Sequence, residues 1–261
     1  PGKLLRIKFV DPSTSTNHYL FEGNIRQWDV SYSFPNMSYC TIRAVDALNP
    51  LANNTVSLTT SAAATGTVMR EILQAASWTD YDLDTGDSTL AANTFTNTNA
   101  LQALQLATNS EGITAKVYAN KSNAVTFKSR QAIYTDTNSN TSQATFGAGN
   151  LSFEKIDIDY DDELVKNKVS INRTGGTAQE VSDSDSIVNF NERSYVKSGL
   201  MIATNAESLN YAQSVLAEFK EPAVRCKSMT FSPLKHTDMI TQSLARDITD
   251  RITVNFQPPG S

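Results

Sequence analysis

The strongest constraint on this chain is a change of apolar period inside one short stretch, Asn97–Arg130. Leu101, Leu104 and Thr108 fall on one helical stripe, with Ala100, Ala103 and Ala107 beside it. Asn97, Thr98 and Asn99 offer the side-chain oxygens that cap a helix start. Glu111-Gly112 is the expected stop, because glycine takes the left-handed geometry of a C-terminal cap. Beyond it the period falls to two. Ile113, Ala115 and Val117 alternate with polar neighbours, and Val125 and Phe127 answer from across a polar turn, Asn120–Asn123. A helix followed by a hairpin implies a small α+β unit in which the helix covers one sheet face. The stretch carries no catalytic pattern.

At 261 residues, two or three compact units are expected rather than one. Charged residues make up 19% and hydrophobic ones 39%, with abundant Thr, Ser and Asn, a balance that suits a polar, β-rich protein with long connections. The net charge of −5 comes without the clustered Lys and Arg that duplex DNA demands. No run reaches the length of a membrane span, and no charged-then-apolar leader opens the chain. The start at Pro1-Gly2-Lys3 and the end at Pro258-Pro259-Gly260-Ser261 read as those of a segment or processed portion of a longer polypeptide. Cys40 and Cys226 are far apart and are expected to be buried free thiols; a disulfide stays open, although the spacing asks for none. His18 and His236 sit in polar contexts without a nearby Cys pair, a poor metal inventory.

Taken in order, residues 3–45 read as all-β. Leu5, Ile7 and Phe9 alternate up to a break at Asp11-Pro12-Ser13; Tyr19 and Phe21 lead through Gly23 into Ile25–Val30; a turn at Pro35-Asn36 precedes Tyr39–Val45. Three or four such strands need a partner sheet or barrel closure, part of it supplied from elsewhere in the chain. A helix is expected over Thr65–Ser77, capped by Thr65 or Thr67, with Val68, Met69, Ile72, Leu73 and Ala76 inward and Trp78 at its end. The acidic Tyr81–Asp87 has Asp82, Asp84 and Gly86 in a partly calcium-like spacing, but no glutamate closes the loop, so an acidic surface turn is expected.

The polar stretch 135–150 reads as a linker or long exposed loop. The charge run Ile156–Glu163 fails as an EF-hand, because Asp162 stands where Gly belongs and Lys168 where the closing Glu belongs. A carboxylate pair around Asp159 and Asp161 is weighed against a solvated, strand-flanking turn, which is the default. Val165–Asn172 is a strand turned by Arg173–Thr177, which is no phosphate loop; Ser184 and Ser186 have no nearby His or nucleophile elbow. Thr204-x-x-Glu207 is a capping box opening a helix with Leu209, Ala212, Leu216 and Phe219 inward and Pro222 at its end. Strands at Val224–Phe231 and Ile252–Phe256 complete the chain. The divisions expected are 1–60, an N-terminal β domain; 61–134, an α+β insert; 135–150, the linker or loop; and 151–261, a C-terminal α+β domain.

Several stretches together resemble the minor tail proteins of long-tailed, non-contractile bacteriophages. They are Leu20–Ile25 with Trp28; Leu101–Arg130; Asp161-Asp162 through Asn167 and Val169 to Arg173, Gly175 and Gly176; and Thr204–Pro222 with Asp250–Val254 and Pro258-Pro259-Gly260. Where the family pattern has Gly before the Asp-Arg of the last strand, this chain has Thr249. The resemblance implies a multi-domain, β-rich α+β architecture like that of the tail-tip (baseplate) hub, with β-barrel-like domains and a small helix-plus-hairpin insert. It also implies a homotrimeric ring around the DNA channel in the virion tail tip. Partners would be distal-tail and tail-tube proteins, fibre or receptor-binding proteins and a host surface, with DNA only as passing cargo. It transfers no catalytic, cofactor-binding or metal residue, so no enzyme activity and no cofactor are expected.

Two other classes compete. A carbohydrate- or receptor-binding module would use exposed aromatics, with Trp28, Trp78, Tyr81 and Tyr160 as candidates against a plain packing role. A cell-wall hydrolase would need convergent carboxylates or a metal site.

Overall fold

The computed structural model describes residues 2–12, 14–34, 37–159, 163–235 and 237–257. Strand outweighs helix, and the strands form several small sheets of two or three strands. The α+β, β-rich class is found, with open sheets and no closed barrel among the described residues.

Leu4–Val10 (β1), Asn17–Ser33 (β2) and Met37–Val45 (β3) make one antiparallel sheet in the order β1-β2-β3. Gly23 does not interrupt β2. It admits the neighbouring backbone, since a Cβ there would stand 2.4 Å from the Val45 carbonyl oxygen. Bulges leave Leu20 and Arg26 unpaired. Ser13 and the turn at Pro35-Asn36 lie outside the described residues.

The larger core is built by helices Thr65–Ala75 and Ala100–Glu111. Val68, Met69, Ile72 and Leu73 of the first meet Ala100, Ala103, Leu104 and Ala107 of the second, with Val125 and Phe127 from the hairpin. Leu101 is only half-buried, so the inner stripe of the second helix is centred on alanines, which let the two helices approach closely. Asn99 caps this helix by accepting from Gln102 N–H at 3.1 Å. Gly112 ends it at φ 156°, ψ 166°, a glycine geometry but not the left-handed helical one expected. The hairpin Lys116–Ala119/Val125–Lys128 gains a third strand, Tyr81–Leu83, parallel to Val125–Lys128. Ala64, not a threonine, is the N-cap of the first helix and makes no side-chain cap bond, because the Thr65 hydroxyl is turned to the interior.

The second core lies under Asn205–Phe219, which covers a sheet of Gln179–Ser182, Lys168–Arg173 and Ser194–Leu200. The capping box of Thr204 and Glu207 is present. The inward stripe is Ser208, Tyr211, Ala212 and Val215, rotated from the expected one, with Leu209, Leu216 and Phe219 at its margins. Hydrogen bonds stitch the two cores together: Met201 N–H donates to Ser110 Oγ at 2.9 Å, and Ala91 N–H to the Met201 carbonyl at 2.6 Å.

The stretch 135–150 is not a free loop. It contains the end of helix Ala132–Thr135, helix Thr137–Asn140 and strand Thr145–Gly147, which runs parallel to Thr253–Asn255 and buries Phe146. Its polar side chains close on nearby backbone, as when Asn140 Nδ2 donates to the Tyr134 carbonyl, which lets a polar sequence hold a fixed path. Thr249 holds φ 80°, the region that glycine favours.

Candidate functional site

The acidic turn after Tyr81–Leu83 is a clasp between two helices. Asp84 Oδ2 accepts from Ser129 N–H at 2.9 Å, and Asp87 Oδ2 from Gln131 N–H at 3.2 Å. The fully buried carboxyl group of Glu111 accepts from Thr65 Oγ1 at 2.6 Å, Asp87 N–H at 2.7 Å and Ser88 N–H at 3.0 Å. Gly66 and Gly86 allow the approach: a Cβ on Gly66 would lie 1.9 Å from the Asp84 carbonyl oxygen, and Gly86 sits at φ 87°. Asp84 and Asp87 thus spend oxygens on backbone donors, the arrangement of a structural turn rather than of a cation loop. Among the described residues no group of three or more His, Cys, Asp or Glu is placed to hold a metal ion. Sequence reasoning missed Glu111 as the centre of this clasp. The available signal was an acid in the last helical turn, where the dipole disfavours it unless another partner holds it.

Lys128 beside the clasp pairs with Asp136 at 2.9 Å and lies 3.5 Å from Asp84. Its burial pulls the ammonium pKa down, but these two carboxylates outweigh that and leave it raised.

In the charge run, Lys155–Asp159 pairs antiparallel with Arg225–Thr230. Asp157 accepts from Ser228 Oγ at 2.6 Å and pairs with Lys155 at 2.9 Å, and these two contacts lower its pKa. Asp159 stands opposite Arg225, and Tyr160, Asp161 and Asp162 lie outside the described residues. Cys40 and Cys226 are free and exposed, a correction to the expected burial: each lies on a strand that the rest of the chain leaves uncovered. His18 lies on β2 opposite Phe9, and His236 is outside the described residues. A cleft of about 650 Å³ is lined by Thr145, Asn150, Ser152, Lys235, Asp238 and Gln242, and Lys235 at its edge pairs with Glu154 at 2.8 Å.

The candidate aromatics part company. Trp78 and Tyr81 pack at the edge of the larger core, and Trp78 Nε1 donates to the Asp80 carbonyl at 2.8 Å. Trp28 projects from β2 and is 45% exposed. Register explains what surrounds it. Trp28 opposes Ile42, Val30 opposes Cys40 and Tyr32 opposes Ser38, and alternation continues this face through Ile25 and Phe21 to Ile7 and Phe9 on β1. The opposite face mixes charged and apolar groups: Arg6 pairs with Glu22 at 2.5 Å and stacks over Tyr19, Asp29 takes a 2.7 Å hydrogen bond from Gln27 and pairs with Arg43 at 3.6 Å, and Leu4, Val10, Met37 and Tyr39 are exposed beside them. The sheet therefore keeps these ion pairs on the face away from Trp28. The Trp28 face is buried near the body at Ile25 and open farther out, while Thr241 Oγ1 anchors the base of the sheet by donating to buried Asp11 at 3.2 Å.

The fold as a whole is similar to that of known proteins. The fold is that of phage tail proteins. A tail protein from Neisseria meningitidis MC58 superposes with a TM-score of 0.54 at 14% identity, over 77% of this chain and 60% of that one. The 43 kDa tail protein of prophage MuSo2 from Shewanella oneidensis gives 0.50 at 10% identity, over 82% of this chain and 67% of that one. The chain thus spans only about three fifths of the Neisseria protein's length. No protein-family model matches the sequence, and no curated protein matches it.

Proposed function

We propose that this chain is a structural subunit of a bacteriophage tail, a hub subunit at the tail tip that forms a homotrimeric ring around the DNA channel. It would join the tail tube to the host-contacting parts. The observation that carries the reading is the fold shared with tail proteins over 77% of the chain. The N-terminal sheet, with large apolar side chains exposed on it, supports the reading, since a ring subunit needs rigid β-elements that offer faces and edges to neighbours. An acidic chain suits a conduit that DNA passes without sticking, because like charges disfavour phosphate binding. On this reading the chain is not an enzyme and carries no cofactor. Electron-microscope class averages of the full-length parent chain test it: a closed threefold ring is expected, and a clean monomer would sink it.

Trp28 and Tyr32, exposed on one sheet face, favour a second reading as a receptor- or carbohydrate-binding module. Glycan-array binding that is lost in Trp28→Ala would select that reading over the hub.

A further inference from the structure

Beyond buried Ile25, the outer part of the Trp28 face of the N-terminal sheet has no cover among the described residues. Ile7, Phe9, Trp28, Val30, Tyr32 and Ile42 are between 40% and 83% exposed. Buried Gly23 and Ile25 separate Ile7 and Phe9 from the outer group, and Trp28, Val30, Tyr32 and Ile42 by themselves leave on the order of 400 Å² of apolar side chain in one patch, within the range in which a monomer's largest patch is often functional. An apolar sheet face left open to water gains free energy when a second layer covers it.

We infer that this face docks against a second copy of this chain. The inference deepens the ring-subunit reading, on which it rests, by naming the surface through which copies meet. Area comes first: a standard interface takes about 800 Å² from each partner, a little over half of it apolar, which is what the patch supplies. Charge comes second. Residues 2–46 carry five Lys and Arg against four Asp and Glu, whereas the rest of the chain carries 17 against 23. The bodies of two copies therefore repel each other, and the sheet, close to neutral, is where contact between them is least opposed. The ion pairs Arg6–Glu22 and Arg43–Asp29 satisfy the charges of the other face within the chain and leave the apolar face free of charge to desolvate.

Sedimentation equilibrium of the full chain, with and without Val30→Glu and Tyr32→Glu together, tests this. Both positions are exposed, at 52% and 83%, so the substitutions leave the fold intact, which circular dichroism checks. The unmodified chain is expected to associate, and the double variant to do so at least about 100-fold more weakly. Val188→Glu, on the body and 83% exposed, is expected to associate like the unmodified chain. Cys40 gives a readout without altering the apolar contacts: in a Cys226→Ser background its reaction with maleimide should slow about tenfold or more when the chain associates. A chain that stays monomeric up to about 100 µM would overturn the inference. So would a double variant that assembles as tightly as the parent, or a Cys40 rate indifferent to assembly. A threefold ring that survives the double variant sinks this inference and leaves the hub reading standing; association through this face into anything but a ring does the reverse.

Discussion

Glu111 and Thr65, 46 residues apart, meet in the interior, where the carboxyl group of one accepts the hydroxyl proton of the other at 2.6 Å. The same carboxyl group holds the backbone of Asp87 and Ser88, so one side chain ties the end of one helix to the start of another and to the acidic turn between them. Glu111→Ala removes the acceptor from the buried Ser88 N–H and the Thr65 hydroxyl and from the part-buried Asp87 N–H, and should cost about 2–4 kcal/mol by urea denaturation. Glu111→Gln turns an amide toward donors and should cost about 1–3 kcal/mol. Stability unchanged by either substitution would show that water takes over these contacts.

Gly66→Ala places a methyl group 1.9 Å from the Asp84 carbonyl oxygen, which the helix start cannot yield without breaking the clasp. A loss of about 2–4 kcal/mol is expected, against the gain of about 1 kcal/mol that alanine brings to an ordinary helical site. A thermal melt that rises on this substitution would contradict the close approach.

Ser110 joins the two cores: its hydroxyl donates to the Leu106 carbonyl at 2.7 Å and accepts from Met201 N–H at 2.9 Å. Ser110→Ala strands that buried amide and should cost about 2 kcal/mol. Hydrogen exchange should show Met201 N–H losing protection more than its neighbours do.

Calcium at about 5 mM should leave the melting temperature unchanged within about 1 °C, because Asp84 and Asp87 are held by backbone amides. A clear rise, reversed by chelator, would restore a cation loop.

Asp183 caps the helix Ser184–Phe190 by accepting from Ser186 N–H at 2.9 Å and pairs with Lys220 at 2.9 Å. The amide bond first, then the lysine, lower its pKa below the ordinary 3.8. A depressed carboxyl pKa stabilises the fold fully above the ordinary value, and the contribution disappears as pH falls through the lowered one. Lys220, its pKa raised by the same pair, loses its share only as pH climbs above the ordinary lysine range. Asp183→Asn should therefore flatten the acid limb of the stability curve. An acid limb identical to that of the parent chain would show that the cap does not titrate there.

Much of the local structure was legible in the residues themselves. Asn99 as a cap, the Thr204–Glu207 capping box and the Val125↔Ala119 hairpin all follow from neighbours close in sequence, which side-chain chemistry and period alone determine. The buried stripe of Asn205–Phe219 was misplaced because Ser208 and Tyr211 look polar, yet Ser208 donates to the Thr204 carbonyl and Tyr211 shares a 3.3 Å hydrogen bond with Tyr195. Cys40 and Cys226 were misread for the opposite reason: a residue that usually hides stays exposed where its strand lacks a second layer.

Sequence alone determined that this chain is a β-rich α+β protein with a helix-plus-hairpin unit, because apolar period and capping chemistry act over a few residues. Only the tertiary structure decided where the acids go and which faces stay open. Glu111 acquires its partners from residues 65, 87 and 88, and the outer Trp28 face stays open because no later segment among the described residues folds over it. Both outcomes depend on contacts between distant segments, which no local pattern of residues encodes.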